Sequence, residues 1–115
     1  MQSSSYLRFQ LLDVYIAAKE FVRRVHAAKI RDKVLREQAT RAAMGMFLQL
    51  CEGLPQDGTA MRNKFFTISC GSLCEATAGV DVAAAIGAVR LEDAAAIQAL
   101  AVRLKRMLRG LMHSR

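Results

Sequence analysis

The 115-residue chain has no Trp, a single Pro, two Tyr and two His. Sheet domains draw on aromatic and β-branched residues and on frequent turn residues. A chain poor in these and rich in Ala reads as helix. The shortage of histidine weighs against metal chemistry. A ferritin-type di-metal bundle needs Glu-x-x-His pairs, and no Glu here is followed three residues later by His. Cys51, Cys70 and Cys74 are odd in number and form no Cys-x-x-Cys. They fit neither a disulfide framework nor a zinc site, and are expected to be reduced, buried thiols. No apolar run approaches the roughly 18 residues of a membrane span. The start, Met1-Gln2-Ser3-Ser4-Ser5, has no basic flank and no apolar core of a signal peptide. The expectation is a cytoplasmic protein without membrane association.

What the chain does have is 53% hydrophobic residues and an excess of cations, 17 Lys and Arg against 10 Asp and Glu. The formal charge of +7 and pI near 9.9 favour anionic partners, nucleic acid first, although a solvated basic face has the same composition. One domain of four helices is expected, spanning roughly residues 7–28, 32–53, 59–86 and 91–112. In the first, Leu7, Leu11, Val14, Ala18, Phe21, Val22 and Val25 share a face. A second apolar stripe, Phe9, Leu12 and Ile16, lies away from it and suggests contact with another subunit. The first connection, Lys29 to Lys33, lacks Gly and Pro, with Asp32 as an N-cap. Leu35, Ala39, Ala42, Ala43, Met46, Phe47 and Leu50 face inward on the second helix. That helix is apolar nearly all round from Ala42 to Cys51, as if covered on several sides.

Leu54-Pro55-Gln56-Asp57-Gly58 is the clearest punctuation, with Thr59 as the cap of the third helix. Its main face is read as Met61, Phe65, Ile68, Ser72, Ala76, Gly79, Ala83 and Ile86, with Phe66, Cys70, Leu73, Thr77 and Val80 adjoining. Gly71 and Gly79 suggest close interhelical approach. Gly87 stops this helix. Glu92 and Asp93 complement the dipole of the fourth, whose Ile97, Leu100, Leu104, Met107, Leu108 and Leu111 face the core.

Several short motifs in order resemble a known family. They are Leu12-Asp13-Val14-Tyr15-Ile16-Ala17-Ala18, then Gln38, Arg41-Ala42-Ala43 and Glu52-Gly53, then Gly71-Ser72-Leu73 with Glu75. The chain resembles the four-helix-bundle proteins encoded in intervening sequences of bacterial large-subunit ribosomal RNA genes. Accessory variability proteins of diversity-generating retroelements share that fold. The resemblance implies an all-α, antiparallel up-down four-helix bundle that assembles into a ring, often a pentamer, with a link to nucleic acid and no catalysis. Gly45 stands where the family usually has Ser, and Phe47 where it often has Pro. Gln56-Asp57 replaces a basic pair that many members carry, so this turn is not expected to grip RNA.

No catalytic, cofactor or metal site is expected. Ser72 lacks a nucleophile elbow, and a helical Ser on a small-residue face is ordinarily packing. Arg41, Glu52, Ser72 and Glu75 are read as structural polar groups, with Arg41 a partner for the carboxylates. Nucleic-acid contact is assigned to two basic clusters. One is Arg23, Arg24, Lys29, Arg31, Lys33 and Arg36, followed by Arg41 and diluted by Asp32 and Glu37. The other is Arg103, Lys105, Arg106 and Arg109, with Arg115 beyond. In an up-down bundle they fall at opposite poles, and a ring would multiply both. Binding would be largely independent of sequence, RNA being favoured over DNA. The alternative function is an oligomeric protein-interaction scaffold whose basic rim meets an acidic protein partner.

Overall fold

Each amphipathic run is a helix in the computed structural model, which describes the backbone of residues 2–113 and the side chains of 11–113. The elements are α1 (Gln2–Ala27), α2 (Lys33–Gly53), α3 (Thr59–Ala85) and α4 (Leu91–Met112). Their buried rows alternate steps of three and four residues, the spacing that keeps one seam turned to a neighbouring helix. On α1 the row is Val14, Ala18, Phe21 and Val25; on α2 it is Ala39, Ala43, Met46 and Leu50. On α3 it is Phe66, Ser69, Leu73, Ala76, Val80 and Ala83. On α4 it is Ala94, Ile97, Ala101, Leu104, Leu108 and Leu111. Among the described residues no strand interrupts them, and no helix is long and apolar enough to cross a membrane.

Neighbour pairs fix the topology. Tyr15 meets Phe47, with ring centroids 5.3 Å apart, while Val22 and His26 line a depression with Thr40 and Glu37, so α1 and α2 run in opposite senses. Ser69 lies beside Met46 and Gly79 beside Ala39, which reverses α3 on α2. Asn63 donates to Met112 O (3.1 Å) and Gln98 to Asp81 (3.1 Å), which reverses α4 on α3. Each helix packs on its two sequence neighbours in cyclic order, α4 closing on α1, so α1 and α3 are diagonal. The result is an antiparallel up-down bundle 49 Å long.

The α2–α3 seam is the tightest, because small residues let the backbones approach. A Cβ on Gly53 would fall 2.8 Å from the buried Phe66 ring, and one on Gly79 would sit 3.4 Å from the Ala39 Cβ. The Ser69 hydroxyl, completely buried, donates to Met46 O at 2.8 Å, so its burial costs no lost hydrogen bond.

Several expectations need correction. The principal buried face of α3 runs through Phe66, Leu73 and Val80, while Met61, Ile68 and Ile86 are exposed. Apolar residues surround α3 so widely that period alone does not choose between adjoining stripes. Ser69 wins a core position because it bonds a carbonyl of α2. Gly71 meets nothing within 4 Å of an added Cβ, unlike Gly79. Met44 and Leu48 are exposed, so α2 is not covered all round within one chain. Cys74 is exposed and Cys51 and Cys70 are half-buried, against the expectation of buried thiols. Gly58, one residue before Thr59, is the N-cap of α3.

The ends are closed differently. Asp32 caps α2 by accepting from Leu35 N (2.9 Å), as expected. Gly87 (φ 72°) ends α3 in a Schellman arrangement, Ala88 N donating to Ala83 O (2.8 Å) and Gly87 N to Ala84 O (3.2 Å). Lys29 (φ 51°) does the corresponding work after α1 without a glycine, at a cost of roughly 1–2 kcal/mol. Ile30, completely buried, then plugs the end of the core.

Candidate nucleic-acid interface

The bundle brings the ends of α1 and α3 and the starts of α2 and α4 to one pole, and the opposite ends to the other. The first cluster falls at the first pole, and its arginines are occupied by the chain itself. Glu20 accepts from Arg23 (2.6 and 2.9 Å) and from Arg24 (2.9 Å), one turn along the same helix. These bonds, the one from Arg23 first, hold the Glu20 carboxyl down at about 2. Arg31 N donates to Ala88 O (2.8 Å), and its guanidinium to Gly87 O. Arg36 donates to Ile30 O (2.8 Å). Arg31 and Arg36 thus stitch the α1–α2 connection to its surroundings. Arg90, at the same pole, pairs with Glu92. Lys29 and Lys33 are exposed and make no ion pair or side-chain hydrogen bond among the described residues.

The second cluster has a different electrostatic setting. After Asp93, α4 carries no Asp or Glu, and α3 carries none between Asp57 and Glu75. The halves of α3 and α4 that face each other towards the second pole are therefore acid-free. Arg103, Arg106 and Arg109 are exposed and Lys105 is half-exposed, and none forms an ion pair among the described residues. Lys105 lines a depression between α3 and α4 with Leu73, Cys74 and Thr77, and burial pushes the nearby Cys70 thiol up, with Lys105 and Arg109 opposing the shift. Arg62 and Lys64 extend the same field on α3 and were not assigned by the motif reading. The signal for them is the missing acid across a whole helical segment. Repulsion between neighbouring like charges is relieved only by counter-ions or an anionic partner, the condition under which binding becomes salt-dependent.

The remaining polar residues do not form a site. Arg41, Glu52 and Glu75 are exposed, and none of them pairs with another among the described residues, contrary to the expected Arg41–carboxylate partnership. Ser72 is half-buried, its Oγ 3.7 Å from where a Gly45 Cβ would lie. Leu12 and Ile16 are each 54% exposed. Phe9, the third residue of that stripe, lies outside the described side chains. Among the described residues, no three His, Cys, Asp or Glu side chains group together as metal ligands would.

The family model of the 23S rRNA-intervening sequence protein matches residues 10–110. The chain belongs to this family. No individual curated protein matches it. The match runs through all four helices and takes in both cationic clusters. The Glu52-Gly53 step has a physical reason in the fold: Gly53 is where the Phe66 ring leaves no room for a side chain.

Proposed function

We propose that this member of the 23S rRNA-intervening sequence protein family is a non-enzymatic, self-associating protein that binds RNA with little sequence preference. Contact is made chiefly through the α4 surface of Arg103, Lys105, Arg106 and Arg109. The observation that carries the reading is the acid-free half of α3 and α4, with its cations unpaired among the described residues. A polyanion releases counter-ions on meeting such a surface, and the gain depends on phosphate spacing rather than base identity. No aromatic residue is interleaved with these cations, so base stacking contributes little. The name of the family favours RNA over DNA. Self-association would repeat the patch on each copy and raise avidity.

Filter binding of a structured RNA across a salt series tests the reading. Affinity should fall steeply with salt and respond little to sequence. An affinity indifferent to salt, or none at low salt, overturns it. A co-purifying acidic protein in place of nucleic acid would support the scaffold alternative.

A further inference from the structure

Cys70 and Cys74 stand one turn apart on α3, at the edge of its groove with α4, and RNA binding makes no use of either thiol. Cys70 is half-buried and packs against the core, while Cys74 is exposed and lines the groove with Leu73, Thr77, Ala101 and Lys105. Gly71, between the two thiols, has nothing within 4 Å of an added Cβ, so this edge is open to solvent. Residues four apart on a helix hold their Cβ atoms about 5–6 Å from each other. A disulfide needs roughly 3.5–4.5 Å between them, so the pair does not close on itself without unwinding α3. A metal–thiolate bond is about 2.3 Å, so a linear sulfur–metal–sulfur unit spans roughly 4.6 Å. Two thiols leaning towards each other from successive turns supply that span.

We propose that Cys70 and Cys74 bind one soft monovalent cation, Cu(I), as a two-coordinate bis-thiolate, with Lys105 and Arg109 of α4 supplying the counter-charge. Both thiol protons leave to solvent as the two sulfur–copper bonds form, and the copper keeps its oxidation state. Two thiolates on one Cu(I) carry a single net negative charge. Lys105 and Arg109 are the cations that act on Cys70, and they favour its thiolate against the burial that disfavours it. Neither forms an ion pair among the described residues, so neither gives up a partner to serve here. The donor set selects the ion. Zn(II) takes four ligands, and among the described residues no third His, Cys, Asp or Glu groups with this pair. Asp81, the carboxylate lining the same groove, lies about two turns further along α3 and accepts from Gln98 at 3.1 Å. Thiolate softness favours Cu(I) over the harder divalent ions.

The test is an anaerobic titration of the full chain with Cu(I) against a chromophoric Cu(I) chelator, with circular dichroism to verify the helical content of each variant. The wild type and C51A should each take up one copper per chain. Copper X-ray absorption should show two sulfur neighbours and no nitrogen. C70A and C74A should each lower the affinity by about a hundredfold or more, because a single thiolate leaves half the coordination shell empty. K105E/R109E keeps both thiols and should weaken binding about two- to fivefold. An equal amount of Zn(II) should not displace the copper. No uptake against the chelator, a loss in C51A as large as in C70A, or three or more sulfurs around the metal overturns the proposal. A K105E/R109E variant that binds as tightly as the wild type removes the counter-charge assigned to α4.

Discussion

At the pole where α1 runs into α2, guanidinium groups are turned back onto the chain. Arg23 and Arg24 share the Glu20 carboxylate, while Arg31 and Arg36 donate to the carbonyls of Gly87 and Ile30. At the other pole, Arg103, Arg106 and Arg109 stand on a helix with no acid after Asp93. Both clusters look alike as strings of Arg and Lys, yet one is bonded back onto the chain and the other forms no ion pair among the described residues. A cation already hydrogen-bonded to a carbonyl or carboxylate must surrender that bond to reach a phosphate, and the net gain shrinks accordingly. The free cations cost nothing to engage beyond their own ordering. Charge count is therefore a poor guide to an anion site, and pairing is the better one.

The sharpest way to break this contrast is to reverse the free end. R103E/R106E/R109E should lower RNA affinity by about a hundredfold or more at low salt and flatten the salt dependence by about three in log–log slope. All three residues are exposed, so the circular dichroism spectrum should not change. Loss of a few-fold only would mean that the acid-free surface is not the main contact.

Next in size is an effect on stability. Arg31→Ala removes the guanidinium bond to Gly87 O across the two connections and should cost about 1 kcal/mol in urea unfolding. Its RNA affinity should stay within about twofold of wild type. A variant that keeps its stability but loses binding would make Arg31 a ligand contact and erase the distinction between the poles. Smaller again is the expected effect of K29E/K33E, which changes the two unpaired lysines of the first pole. Binding should weaken only about two- to fivefold, through the general field rather than through contact.

Much of this arrangement could be read from residue order. The amphipathic period of α4 marks its buried row, Asp32 marks the start of α2, and the small residues of α2 mark the close seam. Heights along the helices follow from the antiparallel order. What escaped is what depends on partners distant in sequence. Nothing local to Arg31 announces a bond to Gly87, 56 residues away. Nothing in the greasy circumference of α3 selects Ser69 for the core until the carbonyl of Met46 is opposite it. Lys29 takes a left-handed conformation where a glycine would have announced the turn. The Glu20 pairs have a local signal that the assignment of Arg23 and Arg24 to nucleic acid passed over: the two arginines stand three and four residues on, the spacing at which helical side chains meet.

Those pairs supply the finest test of the contrast, through pH. The Glu20 carboxyl, ordinarily near 4.5, is held at about 2 by its bonds to Arg23 and then Arg24. A depressed carboxylate contributes stability that is fully present above its unfolded value and is lost as pH falls through the folded one. The pairs should thus persist through mild acid and come apart only between about pH 4 and 2. Carboxyl-carbon NMR should place the Glu20 midpoint near 2, and R23A/R24A should return it towards 4.5. Over pH 5 to 7 Arg23 and Arg24 should then add nothing further to RNA binding, because the carboxylate masking them stays ionised throughout. A Glu20 midpoint at the ordinary value would mean that the two arginines are free in solution, and that the poles differ far less than their geometry indicates.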